Sequence, residues 1–256
     1  MLKKNFLFIF CLILLLVNLA FAFENKSIDS DKIVKACFNY MRDEASQSTV
    51  EMLIKRPSWE RTMTIKAWTK GEKNSLFRIF APAKDKGNGT LKKGRQMWMF
   101  NPKINRVIKL PPSMMSQAWN GSDFSNNDLA KTDSLINDYN HTIIKTETDD
   151  KNNKIYYIKS IPKPEAPVVW GMLKLTIRED NILLKEEFFD EDFISVKKLI
   201  TYDIQMISGK LYPIKWKMQK SDQKDEYTLL TYKKIEFKKT IPSNLFTLSE
   251  LKRFNR

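Results

Sequence analysis

The chain has 256 residues, a formal net charge of +14, one histidine and two cysteines, of which only Cys37 lies beyond the first 22 residues. A lone thiol excludes an intrachain disulfide framework, so stability must come from core burial, which a chain of this length can supply. The lysines are scattered singly rather than clustered, which counts against a nucleic-acid-binding face; they read first as solvated surface and second as attraction to acidic headgroups or an acidic partner.

The first element is a secretory signal peptide. Lys3 and Lys4 precede an apolar run from Phe6 to Leu19, and Ala20-Phe21-Ala22 has the small–x–small pattern of a cleavage site. The run is short for a membrane-spanning anchor, the alternative, so cleavage after residue 22 is expected, which exports the protein and lowers its charge from +14 to +12 by removing two lysines. Residues 23–256 then read as one domain.

A helix follows, capped by Asp29 or Ser30, with Ile33, Val34, Cys37, Phe38 and Met41 on one stripe. After Ala45 the period changes to two. Val50, Met52 and Ile54 alternate with polar or outward residues, and Met63, Ile65 and Ala67 do the same within Arg61–Thr69. Lys70–Asn74 is a hairpin turn, Ser75–Ala81 a strand and Asp85–Gly94 a loop; Gln96–Phe100 and Arg106–Leu110 are further strands. Pro111-Pro112 stops the sheet, Met114 to Trp119 forms a short apolar turn, and Ser125 with Asp128 makes a capping box for a second short helix. Strands resume at 140–148, 154–161, 168–178, 182–189, 195–207, 211–219 and 227–238. A dozen or so strands in hairpin order predict a mainly β fold, a large curved antiparallel sheet or barrel, with short helices covering or plugging its concave face.

Catalytic chemistry is poorly provided for. His141 sits on a strand without a local partner pattern and reads as structural. Cys37 lies on the apolar helix stripe and reads as a buried thiol. Glu186-Glu187 and Asp190-Glu191-Asp192 are carboxylate groups that could bind calcium or do acid–base work, but read first as the solvated end of a hairpin. No HExxH, zinc cluster, phosphate loop or GxSxG is present, so neither enzyme activity nor a metal or cofactor is expected. Apolar surface, by contrast, is plentiful. Ser75–Ala81 and Met97-Trp98-Met99-Phe100 are apolar on both faces, as expected where one face meets a helix and the other lines an interior. An ordinary core remains the plainer account of this composition.

The order of motifs adds to this. Arg61-Thr62-Met63, Trp68–Gly71, Phe80–Gly87, Gly89-Thr90-Leu91, Met97–Pro102, the block Gly121-Ser122-Asp123-Phe124-Ser125-Asn126-Asn127-Asp128-Leu129, and Ile241–Thr247 resemble the outer membrane lipoprotein-sorting proteins, the LolA-like family, in its longer subgroup. The resemblance implies an unclosed antiparallel β-barrel with helices in its mouth. It also implies a periplasmic carrier that shelters lipoprotein acyl chains, or another lipid, in a hydrophobic cavity on the way to the outer membrane. The subgroup's association with RND-type inner-membrane exporters suggests an alternative, a docking adaptor without cargo. Either form would be monomeric and touch membrane surfaces transiently. The alternation phase then makes Val50, Met52, Ile54, Met63, Ile65 and Ala67 the expected cavity lining, with Phe77, Ile79, Met97 and Met99 added from the next strands. Met114, Met115 and Trp119 are expected at the cavity mouth, as a moving lid or a fixed plug. Gly121 permits the turn there, Asp123 or Ser125 caps the helix, and Phe124 packs inward.

Overall fold

The computed structural model describes residues 29–131 and 133–253. The expected signal peptide, residues 1–22, lies outside the described residues, as do residues 23–28 of the expected domain.

Thirteen strands form one antiparallel sheet. They are β1 (Ala45–Lys55), β2 (Glu60–Lys70), β3 (Asn74–Ala81), β4 (Gly89–Lys93), β5 (Gln96–Asn101), β6 (Arg106–Lys109), β7 (Tyr139–Thr148), β8 (Lys154–Pro162), β9 (Met172–Arg178), β10 (Leu183–Phe189), β11 (Ser195–Ile207), β12 (Lys210–Lys220) and β13 (Tyr227–Lys238). Their order in the sheet is β6-β5-β4-β3-β2-β1-β13-β12-β11-β10-β9-β8-β7. Two meanders are therefore welded at the β1–β13 pair. The free edges, β6 and β7, are consecutive in the chain and joined by the crossover 110–138. The sheet is curved and unclosed, and the crossover is its only connection that is not a direct link between neighbouring strands.

The register follows from the alternation. Val50 faces Ile65 and Met52 faces Met63 across β1 and β2, and all four are buried. A one-residue slip would turn every one of them outward, which is what fixes the pairing. Strands β3 to β5 bury both faces. On the face away from the interior, Ala45, Leu76, Leu91 and Phe100 pack under Ile241, Phe246 and Leu251 of the C-terminal segment. Gly89 makes room there: a Cβ would stand 2.7 Å from Leu251 Cδ1, and the tip of that side chain would have to shift.

Among the described residues four α-helices accompany the sheet: α1 (Ser30–Arg42), α2 (Asn126–Ala130), α3 (Ser134–Asn137) and α4 (Leu248–Lys252). Asp29 is the cap of α1, accepting from the Lys32 amide at 3.1 Å. Helix α1 lies across the concave face. Ser30 Oγ donates to the His141 carbonyl on β7 at one end, and Tyr40 Oη donates to the Leu211 carbonyl on β12 at the other. Helix α2 begins with the expected capping box: Ser125 Oγ accepts from the Asp128 amide at 3.2 Å, and Asp128 accepts from the Ser125 amide at 2.6 Å.

Four elements differ from the sequence reading. The expected loop 85–94 contains strand β4, whose pattern was masked because its inward residues are Thr90 and Lys92 rather than apolar ones. The strand expected from Val168 begins at Met172, since 163–171 runs as an irregular segment over the interior. Helices α3 and α4 were not anticipated; at four and five residues they are too short for apolar periodicity to register.

Candidate binding cavity

Between the concave face, α1 and the crossover lies a cavity of about 340 Å³. Its walls are Ser46, Ser48 and Val50 of β1, Ile65, Ala67 and Thr69 of β2, Phe77 of β3, and inward side chains of β9 to β13. Among the latter are Leu173, Leu175, Ile177, Phe188, Leu199, Met218 and Leu230. Aromatic rings close the far side, with Tyr212 and Tyr232 edge-on at 5.5 Å and Trp216 at 5.9 Å from Tyr232. Val34, Cys37 and Met41 of α1 form the roof. Phe38, Leu135, Lys131 and the exposed Val169 also line the cavity, and Lys131 Nζ donates to the Pro167 carbonyl.

Of the ten side chains expected to line the cavity, Val50, Ile65, Ala67 and Phe77 border the open space. The other six do not, which corrects the expectation. Met52, Ile54, Met63 and Ile79 have the inward phase but are sealed under Trp119. Met97 packs against Leu110 and Ala130, with Met99 beside it under Met114, Met115 and Leu129. The alternation gave their direction; it could not show that the crossover fills the space in front of them.

Trp119 has the geometry of a plug. It is buried, its ring meets Phe77 at 5.5 Å and 63°, and its Nε1 donates to Thr90 Oγ1 at 3.0 Å. Phe124 is buried and faces the cavity. Asp123 does not cap α2, a task done by Ser125. Instead its carboxylate receives Arg56 at 3.0 and 3.1 Å and the Thr228 hydroxyl at 2.7 Å.

Asp123 is one of four aspartates spaced five residues apart along the crossover, and each is paired to a different part of the sheet. Asp123 meets Arg56, Asp128 meets Lys197 of β11, Asp133 meets the fully buried Lys92 of β4 at 3.0 Å, and Asp138 meets Arg95 at 2.9 Å. Burial, resisted by Asp133, lowers the Lys92 ammonium to about pKa 8. Lys197 also lies over the rings of Trp170 and Phe188, at 5.0 and 5.1 Å.

The sequence reading placed no residue of β9 to β13 in the cavity, and the charged one among those it missed is Glu186. Glu186, read as the solvated end of a hairpin, stands mid-strand on β10 with its carboxyl in the cavity. Leu175 and Leu199 are directly opposite on the two neighbouring strands. Its side chain is half-buried at the cavity wall, and burial raises the carboxyl to about pKa 7; Asp128 adds to the rise and Lys197 opposes it. A register irregularity between Leu183 and Lys185 carries Glu186 inward, a signal that sequence alternation does not contain.

The other chemical candidates are structural. Cys37 is buried, and desolvation raises its thiol far above the usual range, which disfavours the nucleophilic thiolate. His141 Nδ1 pairs with Ser160 Oγ at 2.7 Å, and burial lowers its pKa. No group of three or more metal-ligating side chains occurs among the described residues.

Solved structures with this fold include a LolA superfamily protein from Nitrosomonas europaea (22% identity, TM-score 0.73), aligned over 88% of this chain and 100% of that one. A DUF1329 family protein from Desulfovibrio piger matches at 20% identity and TM-score 0.76, again over 88% of this chain and 100% of that one. A candidate outer membrane lipoprotein-sorting protein domain from Vibrio parahaemolyticus matches at 20% and 0.75, over 88% and 98%. No curated protein matches in sequence. A family model described as "-like: Uncharacterized protein" matches residues 71–253. The chain belongs to that family, and its architecture is the unclosed, helix-filled sheet of the LolA superfamily.

Proposed function

We propose that this protein is a periplasmic carrier, monomeric and non-catalytic, that shelters an acyl chain of a lipid or lipoprotein during transfer towards the outer membrane. The observation that carries the reading is the cavity itself: an apolar space of about 340 Å³ walled by leucine, isoleucine, methionine and aromatic side chains. That volume is at the small end of ligand pockets, suited to one chain or one slender amphiphile. Each buried methylene contributes about 0.8 kcal/mol, so such a space holds an alkyl chain firmly against water. The names of the solved relatives, which include lipoprotein sorting, support the same assignment. Native mass spectrometry of the protein purified from its own envelope tests it. Co-purified lipid, released by Ala67→Phe, is the expected result; a protein that stays empty and fails to take up any fatty-acyl probe sinks the reading.

A second reading, an adaptor that docks to an RND-type exporter or to the membrane and holds no cargo, is favoured by one observation. Exposed apolar side chains Trp59, Ile104, Phe193 and Ile194 sit in turns that the strand order places at one end of the sheet, and Lys84, Lys86, Lys103 and Lys224 share that end. Sedimentation with anionic vesicles across a salt series separates the two. Docking through lysines weakens steeply with salt, since screening limits its reach to about 8 Å at physiological ionic strength, whereas chain burial does not.

A further inference from the structure

The carboxyl of Glu186 is the acidic feature of the strand wall that the shelter of a plain alkyl chain leaves unexplained. It projects from the middle of β10 between Leu175 and Leu199, and no hydrogen bond to it is formed among the described residues. The charged and titratable groups around it do not supply a partner. Lys197 of β11 is committed to Asp128 and to the rings of Trp170 and Phe188. Asp128 of α2 is an anion itself. Cys37 of α1 and Tyr139 of β7 are near enough to feel the Glu186 charge, and both are held neutral by burial. The remaining cavity cations are engaged elsewhere, Lys131 with the Pro167 carbonyl and Arg42 with the carbonyls of Gly71 and Asn74. A carboxyl placed in an apolar wall without a partner is unfavourable for folding. Its presence is explained if the partner arrives with the ligand.

We propose that the cavity receives an amphiphile whose polar end is a hydrogen-bond donor, an amine or a hydroxyl, and that the Glu186 carboxyl is the group that accepts it. The proposal rests on the carrier reading and narrows it. The tail is chosen by the leucine and aromatic walls, the head by one acidic anchor. Free fatty acids are then poor ligands, because their carboxylate meets Glu186 and Asp128 with like charge.

Titration calorimetry of the whole protein with decylamine, decanol and decanoate, three ligands with one tail length, tests this. At about pH 8, above the raised Glu186 pKa of about 7, the amine and alcohol should bind at least about tenfold tighter than decanoate. As the pH falls below that value the carboxyl takes up a proton, decanoate should gain and the amine should lose. Glu186→Gln should lower decylamine affinity about tenfold and raise that of decanoate, because an amide can donate to a carboxylate. Its melting temperature should equal or exceed that of the parent, which shows the variant is folded. Three equal affinities, or an order unchanged in Glu186→Gln, would overturn the anchor while leaving the carrier reading intact. Failure of all three ligands to bind would overturn both.

Discussion

The two wings of the sheet present the same kind of concave surface and use it in opposite ways. On the β2–β6 wing the chain covers its own interior: Trp119, Leu129, Met114 and Met115 occupy the space before Met52, Met63, Ile79 and Met97. On the β9–β13 wing the leucine and aromatic face is left open beneath α1. Both faces are apolar, the first rich in methionine and the second in leucine and aromatic rings. What differs is whether the crossover passes in front, and its path is set by four aspartates that meet cations on separate parts of the sheet. A cavity in a fold of this kind is thus what remains after the chain has filled the rest, and ionic pins decide where filling stops.

Breaking a pin should have the largest effect. Lys92→Met leaves Asp133 buried without its cation, and loss of one partner of a buried pair destabilises by about 3–5 kcal/mol. Urea unfolding should register that loss, and Lys92→Met with Asp133→Leu should recover much of it. A double variant as unstable as the single one would mean that the pair is not what holds the crossover over the filled wing.

The open wing should respond in the opposite direction. The folded Glu186 carboxyl has its pKa raised from 4.5 to about 7, so the native state binds the proton more tightly than the unfolded chain. The sign follows from linkage. Its protonated form is fully tolerated below the unfolded value, and stability is lost as pH rises through about 7. Glu186→Gln should therefore stabilise by on the order of 2–3 kcal/mol at about pH 8 and by close to nothing at about pH 4, read from thermal or urea melts at both pH values. Destabilisation at the higher pH would place the carboxyl in contact with a protein cation.

Binding probes the boundary between the wings. Ala67→Phe intrudes into the open space without touching the plugged side, and displacing two methylenes of an alkyl ligand removes about 1.6 kcal/mol, roughly tenfold in affinity. Titration calorimetry with decanol should show this, while Met99→Leu, on the filled side, should change nothing. The smallest effect belongs to the start of α2. Ser125→Ala removes the cap, and a loss of about 1 kcal/mol in unfolding free energy is expected.

Much of this was legible from residues alone. The period-two pattern of β1 and β2 gave direction and register, the two-sided strands β3 and β5 announced a covered outer face, and Ser125 with Asp128 announced α2. The candidate site was less legible, for physical reasons. Alternation reports which way a side chain points but not what stands before it, so Met52 and Val50 read alike although one is sealed and the other open. Lys92 and Glu186 looked like surface because charge is normally solvated; only tertiary packing turns one into a pin and the other into a cavity group. Aspartates five residues apart fit neither a helical nor a strand period, so no pattern drew attention to them.

The weld between β1 and β13 has a consequence for assembly. The strands farthest apart in the chain, among those in the sheet, are neighbours at its centre, with Ala45 opposite Lys238 and Lys55 opposite Tyr227. Until β13 has been delivered, β1 and β12 are both bare edges, and the two meanders have no shared interior. Contacts of such sequence separation are formed late and slowly. Made N-terminus first, the chain carries two half-sheets with unpaired margins until its last strand is complete. Those margins are the surfaces through which an incomplete chain is exposed to aggregation, and closing the weld removes them.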